Sequence, residues 1–327
     1  MTKSMVASQR GEAKSVGRKH EKYETLIKRA TALAPLPTVV AHPCDETSLK
    51  GVVEAAGARL IAPILVGPAV RVRKVAKDCR LDISAFELID AEHSHAAAAK
   101  AVALVREGRG EALMKGSLHT DELLSAVMQR DSGLRTGRRV SHVFIMDVPT
   151  YPEVLFITDA AVNIAPDLET KRDILQNAID LARSLGSKEV RVAILSAVET
   201  VTPKIPSTLE AAALCKMTDR GQITGALVDG PLALDNAINP EAARIKGIKS
   251  AVAGRANILL VPDLEAGNML AKNLSFLANA DAAGIVLGAR VPIILTSRAD
   301  NVRTRMASCA VAAMFANASR LSQPIAA

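Results

Sequence analysis

Aromatic residues are scarce in this 327-residue chain: they make up 2% of it, and tryptophan is absent. Hydrophobic residues nevertheless account for 49% of the sequence, so the core is built mainly from aliphatic side chains. Such cores are typical of parallel sheets covered by helices. A shortage of aromatics also argues against a surface that stacks nucleic-acid bases. We therefore expect an α/β protein without a nucleic-acid partner, long enough for two domains.

Long hydrophobic runs are also missing. No apolar stretch approaches the roughly 20 residues that a membrane-spanning helix requires. The basic amino terminus is not followed by the apolar region of a signal peptide. These observations predict a cytoplasmic protein with no membrane partner.

The net charge of +7 is concentrated at one end of the chain. Residues 1–30 carry eight Lys or Arg against three Glu, whereas the remainder is nearly neutral. Polar basic segments of this kind are flexible extensions more often than nucleic-acid contacts. We predict residues 1–30 to be a basic, flexible extension.

Cysteine pairs and the common catalytic motifs are absent. The four cysteines lie far apart, and Cys44, between a predicted strand and a predicted helix, has no assignable catalytic partner, so we interpret it as structural. There is no G-x-G-x-x-G, G-x-x-x-x-G-K-[ST], H-E-x-x-H or G-x-S-x-G sequence. His93 and His95 are the only closely spaced histidines, and we predict no metal site.

Strands and helices alternate along the chain, which predicts parallel strands joined by crossover helices. Strands are predicted at 38–42, 61–67, 111–116, 142–148, 190–195, 223–230, 257–263, 284–289 and 291–295. Ser207 and Glu210 have the spacing of a capping box, which predicts that they open one of the helices. The expected fold class is α/β, with two parallel-sheet lobes and a cleft between them. Clefts between domains are the usual place for a ligand site.

Two groups of polar residues lie in the first half of the chain. Lys115 ends an apolar strand shortly before Thr120, so it is either a charge for an anion or a surface lysine. Arg135, Arg138 and Arg139 lie among glycines, which suits either phosphate oxygens or a solvated basic loop.

Two further groups follow strands of the second half. After the strand that ends at Asp263, Gly267 is predicted to open a helix and aim backbone N–H groups at the cleft, beside Asn268. The alternative makes Asp263 a turn residue and Asn268 a surface residue.

The apolar strand 291–295 is followed by Ser297, Arg298 and Asp300. Ligands bind at the carboxyl ends of strands in open α/β sheets, and an anion is favoured at the start of the next helix. Asp300 could instead cap that helix, which is predicted to run from about Asp300 to Ala316.

Eight blocks, in order, resemble the phosphate acetyltransferase/phosphate butyryltransferase family. They are "LMKG…T", "GLRTGR", "SHVF", "TDAAVNIAP", "SAVETVTPKIPSTLEAAAL", "GALVDGPLALDNAI", "VPDLEAGNMLAKNL" and "GARVPIILTSRAD". The resemblance covers about residues 39–316, and its strength lies in the order of the blocks.

The resemblance implies an isocitrate/isopropylmalate dehydrogenase-like fold. The first lobe would comprise residues 31–150 and 291–327, the second residues 151–290, and the protein would be a homodimer. It implies transfer of a short acyl group, acetyl to butyryl, between coenzyme A and inorganic phosphate. Coenzyme A would be a substrate, with no cofactor and no metal. Catalysis would involve Ser297, Arg298 and Asp300, and substrate binding would involve the other polar residues: Lys115, Thr120, Arg135, Arg138, Asp263, Gly267 and Asn268.

The chain departs from the acetyltransferase pattern at two positions. Thr304 stands where acetyltransferases have an aspartate, which leaves Asp300 as the nearest carboxylate, and Ser125 replaces an arginine. Two alternatives stay open: a dehydrogenase of the same architecture, and a non-catalytic sensor of acyl-CoA or acyl phosphate.

Overall fold

The structure is a computed structural model that describes residues 21–296 and 300–322. Its strands are β1 (Leu36–Ala41), β2 (Ile61–Gly67), β3 (Glu87–Asp90), β4 (Ala112–Lys115), β5 (Ser141–Asp147), β6 (Leu155–Thr158), β7 (Arg191–Leu195), β8 (Leu227–Leu232), β9 (Ile258–Leu260), β10 (Asp281–Leu287) and β11 (Ile293–Ile294). Its helices are α1 (Glu21–Thr31), α2 (Glu46–Gly57), α3 (Ala69–Asp78), α4 (Ser94–Arg106), α5 (Thr120–Val127), α6 (Leu168–Ser184), α7 (Pro206–Asp219), α8 (Leu234–Ile238), α9 (Pro240–Ile245), α10 (Leu264–Leu277) and α11 (Val302–Ser322). None of the helices in this described part combines the length and the apolar character that a bilayer span requires.

The strands form one sheet in the order β3-β2-β1-β4-β11-β10-β5-β6-β9-β7-β8. Most neighbouring pairs are parallel, which confirms the predicted α/β class. The pairs β5–β6, β5–β10 and β10–β11 are antiparallel, which differs from purely parallel lobes. The short connections 148–154 and 288–292 account for the pairs β5–β6 and β10–β11, because a parallel pair needs a crossover of a dozen or more residues. The parallel strands β6–β9 therefore run opposite to β1–β4 and β11.

The two faces of the sheet are covered differently. On one face, a single apolar cluster packs α2, α6, α7 and α11 against strands from both halves of the chain. The other face carries two separate clusters, one with α4 and α5 and one with α8 and α10. We call this second side the cleft face, because the division between its clusters lies at the middle strands β10 and β5. This division supports two lobes, whose boundaries at residues 150 and 290 stay a prediction.

Residues 21–30 differ from the predicted extension, because they form most of α1, which packs on the globular body. Half-buried or buried apolar side chains lie at positions 23, 26, 27 and 30, a spacing that places them on one side of a helix. The high charge of the segment concealed this short periodicity. Tyr23 lies beneath the guanidinium of Arg303, whose carbon is 3.6 Å from the ring centre. Residues 1–20 lie outside the described residues.

The predicted capping box is wrong. Helix α7 begins at Pro206, and its N-cap residue Ile205 makes no side-chain cap hydrogen bond. Proline at the first helical position fixes the start there, so Ser207 falls inside the helix. Its hydroxyl lies 2.9 Å from that of Ser196, and Glu210 forms an ion pair with Lys171.

Candidate functional site

Lys115 is buried at the end of β4. Its side chain belongs to the cleft face, two residues beyond Leu113, and the residue is 4% exposed. The ammonium nitrogen donates hydrogen bonds to the carbonyl oxygens of Leu118 at 3.1 Å and Gly116 at 3.3 Å. The surface-lysine alternative is therefore wrong. A buried ammonium destabilises the fold unless it is hydrogen-bonded or paired with an anion. The buried, hydrogen-bonded environment of Lys115 is therefore the one expected of a lysine that holds an anion.

The turns that follow β1 and β4 meet beside Lys115. The Ser117 hydroxyl donates to the His42 carbonyl at 2.8 Å and accepts the backbone N–H of Cys44 at 3.2 Å. Burial raises the pKa of the Cys44 thiol to about 11, so this side chain is not a ready thiolate. Thr120 begins α5, whose N-cap residue His119 makes no side-chain cap hydrogen bond. First-turn N–H groups of such a helix favour an anion.

The segment after β11 contains the predicted catalytic residues, of which Ser297 and Arg298 lie outside the described residues. Asp300 is described and half-buried. Helix α11 begins at Val302, and the Asn301 side chain accepts the backbone N–H of Thr304 at 2.8 Å, the hydrogen bond of an N-cap. The alternative in which Asp300 caps the helix is therefore wrong, because Asn301 occupies that position.

Arg305 is a site residue that the sequence did not reveal. It is 2% exposed, and its guanidinium donates to the Thr296 hydroxyl at 2.7 Å. Burial lowers its pKa, while the carboxylates of Asp300 and Asp45 act in the opposite direction. A buried cation is thus held against Thr296, two residues after the end of β11. The available signal was an arginine just before the apolar stretch 306–316 of a helix.

The helix after β9 does not begin at Gly267, where the sequence predicted that its backbone N–H groups would face the cleft. Helix α10 begins at Leu264, and Asp263 is its N-cap, accepting the N–H of Ala266 at 2.8 Å. Gly267 therefore lies inside the helix, where its N–H donates to the Asp263 carbonyl at 3.2 Å. Asn268 donates to the Ala160 carbonyl at 3.1 Å. Asp263 is thus the N-cap of α10, and Asn268 is half-buried, so neither matches the alternative of a turn residue and a surface residue.

The direction of the strands separates these residues from Lys115. Because β9 runs opposite to β4, the carboxyl end of β9, which precedes Asp263, and the carboxyl end of β4, at Lys115, lie at opposite edges of the sheet. An edge here means the line formed by the strand ends. The sheet thus brings Lys115 and Asp300 towards one edge and does not bring Asp263, Gly267 and Asn268 there.

The loop that carries Arg135, Arg138 and Arg139 is exposed. It lines a cavity of about 310 Å³ together with Glu169, Arg172 and Asp173. Arg138 is engaged with Asp180 at 2.6 Å, while Arg135 has no ion-pair partner among the described residues. Arg135 is therefore the better placed of the two to bind an added anion. Among the residues that the structure describes, no three His, Cys, Asp or Glu side chains are grouped to hold a metal ion.

Comparisons with known proteins agree with the resemblance. The family model described as phosphate acetyl/butaryl transferase matches residues 94–313. A phosphate acetyltransferase of Rhizobium meliloti is 70% identical over 92% of this chain and 96% of its own. A phosphate butyryltransferase of Clostridium acetobutylicum is 40% identical over 90% and 98%.

Solved structures show the same architecture. The crystal structure of a branched-chain phosphotransacylase from Enterococcus faecalis V583 superimposes with a TM-score of 0.75 and 30% identity, covering 85% of this chain and 98% of that one. The family match and these relatives show that the chain belongs to the phosphate acetyl/butyryl transferase family.

Proposed function

We propose that this enzyme transfers a short acyl group, acetyl to butyryl, between coenzyme A and inorganic phosphate. The observation that carries the proposal is the 70% identity to a phosphate acetyltransferase over 92% of the chain. The buried Lys115 and Arg305 near the carboxyl ends of β4 and β11 support an anionic substrate at this edge. The relatives favour acyl transfer over both the dehydrogenase and the sensor alternatives.

The proposed chemistry begins with the coenzyme A thiol. A thiol with a pKa near 8.5 is mostly protonated at neutral pH, so a base is needed, and we assign that role to Asp300. The sulfur attacks the carbonyl carbon of the acyl phosphate, a C–S bond forms and the C–O bond to phosphate breaks. The proton passes to Asp300 and then to the departing phosphate. Ser297 orients the thiol or donates to the developing oxyanion, and Arg298 holds the phosphate in a bidentate arrangement.

Further contacts to phosphate or coenzyme A are assigned to Lys115, Thr120, Arg135 and Arg138. The part of Asp263, Gly267 and Asn268 in substrate binding stays a prediction. The reaction as proposed needs coenzyme A as a substrate and neither a metal nor a cofactor.

The proposed setting is a cytoplasmic homodimer, since acyl-CoA and phosphate are metabolites of the cytoplasm. A partner surface is supported by helix α10, on which Met269, Phe276 and Leu277 are 65%, 81% and 81% exposed. Exposed apolar patches of this kind commonly mark interfaces.

The test is release of free thiol from acetyl-, propionyl- and butyryl-CoA, followed with DTNB, with and without phosphate or arsenate. We expect release that depends on the oxyanion. The Arg298→Lys variant keeps the charge but loses the planar donor pair, so its rate should fall substantially. Absence of oxyanion-dependent release with all three acyl-CoA substrates would refute the proposal.

A further inference from the structure

Arg305 is buried beside the segment after β11 that contains the predicted catalytic residues. It is 2% exposed, and its guanidinium donates to the hydroxyl of Thr296, the residue that precedes Ser297, at 2.7 Å. A side chain with so little exposed area offers almost no surface to a substrate. Any part that Arg305 takes in the reaction must therefore act through its neighbours.

The start of α11 sets the relation between Arg305 and Asp300. Because the helix begins at Val302 and Asn301 is its N-cap, Asp300 is the residue before the cap and Arg305 is the fourth residue of the helix. Side chains at these two positions commonly pack against each other and fix the angle at which the chain enters the helix. Such a pair is usually apolar, but here it consists of a carboxylate and a guanidinium. Burial lowers the pKa of Arg305 and the Asp300 carboxylate counteracts that effect, which agrees with their proximity.

Helix α2 restricts the conformations of the Arg305 stem. A Cβ atom at Gly51 would lie 2.7 Å from Arg305 Cδ, closer than real side chains approach one another, so the glycine is what lets the stem pass. The tip of the side chain is held by the hydrogen bond to Thr296. The guanidinium is thus fixed next to the segment 297–299 through both its stem and its tip.

The other ionisable groups near Arg305 on α11 do not compete for this role. Burial raises the pKa of the Cys309 thiol to about 12, so this group stays protonated at neutral pH. Arg303 is engaged elsewhere, with Asp281 at 2.8 Å and with the ring of Tyr23. Arg305 is therefore the cation of this turn that is directed to the segment after β11.

Charged groups from the neighbouring elements have other contacts. Asp45 acts on Arg305 in the same direction as Asp300, but its carboxylate is the N-cap of α2 and accepts the Ser48 N–H at 2.7 Å. Lys115, at the end of the neighbouring strand β4, donates to two backbone carbonyl oxygens. Of the two carboxylates near Arg305, Asp300 is the one that does not cap a helix.

We propose that Arg305 is a positioning residue that holds the chain from Thr296 to Asp300 in its catalytic conformation and pairs with the Asp300 carboxylate. This inference rests on the proposed function, in which Asp300 is the base. A base must be ionised to accept the thiol proton, and an opposite charge within about 4–6 Å favours the ionised form of a carboxyl group. The proton passes from sulfur to Asp300 as proposed above, while Arg305 stays protonated and transfers no proton.

The test is the pH dependence of acetyl-CoA formation from acetyl phosphate and coenzyme A, followed as loss of free thiol. Arg305→Met keeps an apolar stem and removes the charge. Because the ionised base then loses a nearby positive charge, the acid limb of the kcat profile should move to higher pH by about one unit or more. The plateau kcat should also fall by up to about 10², the cost of misplacing a catalytic group by about 1 Å.

Two further variants separate the charge from the position. Arg305→Lys keeps the charge, so its acid limb should stay near that of the wild type although its plateau kcat falls. Thr296→Val removes the hydroxyl and neither charge, so it should lower the plateau kcat without moving the limb. The KM for acetyl phosphate should change little in all three variants, because Arg305 does not contact the substrate. Arg298 is unchanged throughout, so its charge contributes equally to every profile.

Arg191→Met is the matched control. Arg191 is also a buried arginine, 7% exposed, and it pairs with Glu153 and Glu189. It begins β7, which is five strands away from β11 in the sheet. Its removal should lower Tm, because a buried ion pair is broken, but leave the pH profile unchanged. Thermal unfolding of each variant shows whether it is folded.

Failure of this inference is distinguishable from failure of the proposed function, which an inactive wild type would refute. With an active wild type, an unmoved acid limb in folded Arg305→Met overturns the inference, as does an equal shift in Arg305→Lys or a raised KM with unchanged kcat. If Arg305→Met does not fold, wild-type kcat in both Arg305→Lys and Thr296→Val contradicts it. Adding Arg305→Met to Asp300→Asn should cause little further loss, because the arginine acts through the aspartate, and fully additive losses would also contradict the proposal.

Discussion

Lys22 connects α1 to the globular body, and its removal should lower stability measurably. Its ammonium nitrogen lies 3.0 Å from Asp147 Oδ1 and donates to the carbonyl oxygens of Val148 at 2.9 Å and Tyr151 at 2.7 Å. The side chains of Lys22 and Asp147 are 23% and 8% exposed. Asp147 also accepts the backbone N–H of Tyr23 at 3.0 Å, so without Lys22 this buried carboxylate would keep that hydrogen bond but lose its ion pair.

The expected size of the effect follows from these contacts. A hydrogen bond to a charged group contributes a net of about 1.5–3 kcal/mol, but bonds that share one ammonium do not add fully. We expect Lys22→Met, which keeps the apolar stem, to cost about 2–3 kcal/mol. At roughly 2.1 cal/mol/K per residue, the unfolding entropy of a chain of this size is about 0.7 kcal/mol/K, so Tm should fall by about 3–4 °C.

The measurement is thermal unfolding by calorimetry or circular dichroism. Lys28→Met is the matched control, because Lys28 belongs to the same helix, is exposed and makes no ion pair with a described residue. An equal Tm for Lys22→Met and Lys28→Met would show that Lys22 does not stabilise the packing of α1 on the rest of the protein.

Three further predictions concern the chain end, the base and the substrate. Deletion of residues 1–20 should leave activity and Tm near the full-length values, and a large loss of either would show that this segment packs on the body. Asp300→Asn should cut kcat by about 10²–10⁴ if Asp300 is the base, and a normal rate would remove it from the mechanism. The matched Asn301→Ala variant should instead lose about 1 kcal/mol of stability through the cap, with its rate retained. Acyl preference should be graded, because each buried methylene is worth about 0.8 kcal/mol, or about fourfold in kcat/KM, and comparable rates with long-chain acyl-CoA would contradict this.

Local sequence patterns predicted the positions of strands and helices better than they predicted the directions of the strands in the sheet. The strand 61–67 was predicted with the bounds of β2, since an apolar run between turn residues is a local signal. The run that forms β6, Leu155–Thr158, is also apolar but only four residues long, and it was not assigned as a strand, so the reversal of direction after β5 was missed. The opposite directions of β4 and β9, which separate Lys115 from Asp263, could therefore not be read from the predicted strands. Burial of Arg305 was equally hidden, because it depends on how closely α2 approaches α11, not on neighbours in sequence: a Cβ at Gly51 would lie 2.7 Å from the Arg305 side chain.

The apolar cluster shared by both halves has a mechanical consequence. Because α6 packs on β5, β6 and β9, and α11 packs on β1, β10 and β11, neither half contains a complete set of apolar contacts of its own. The side of the sheet opposite the cleft face is therefore rigid. Opening of the cleft requires bending of β5 and β10, and not rotation of two separate bodies about a linker. Unfolding of one half would also expose the shared cluster to water, so heat should melt the chain in a single cooperative transition.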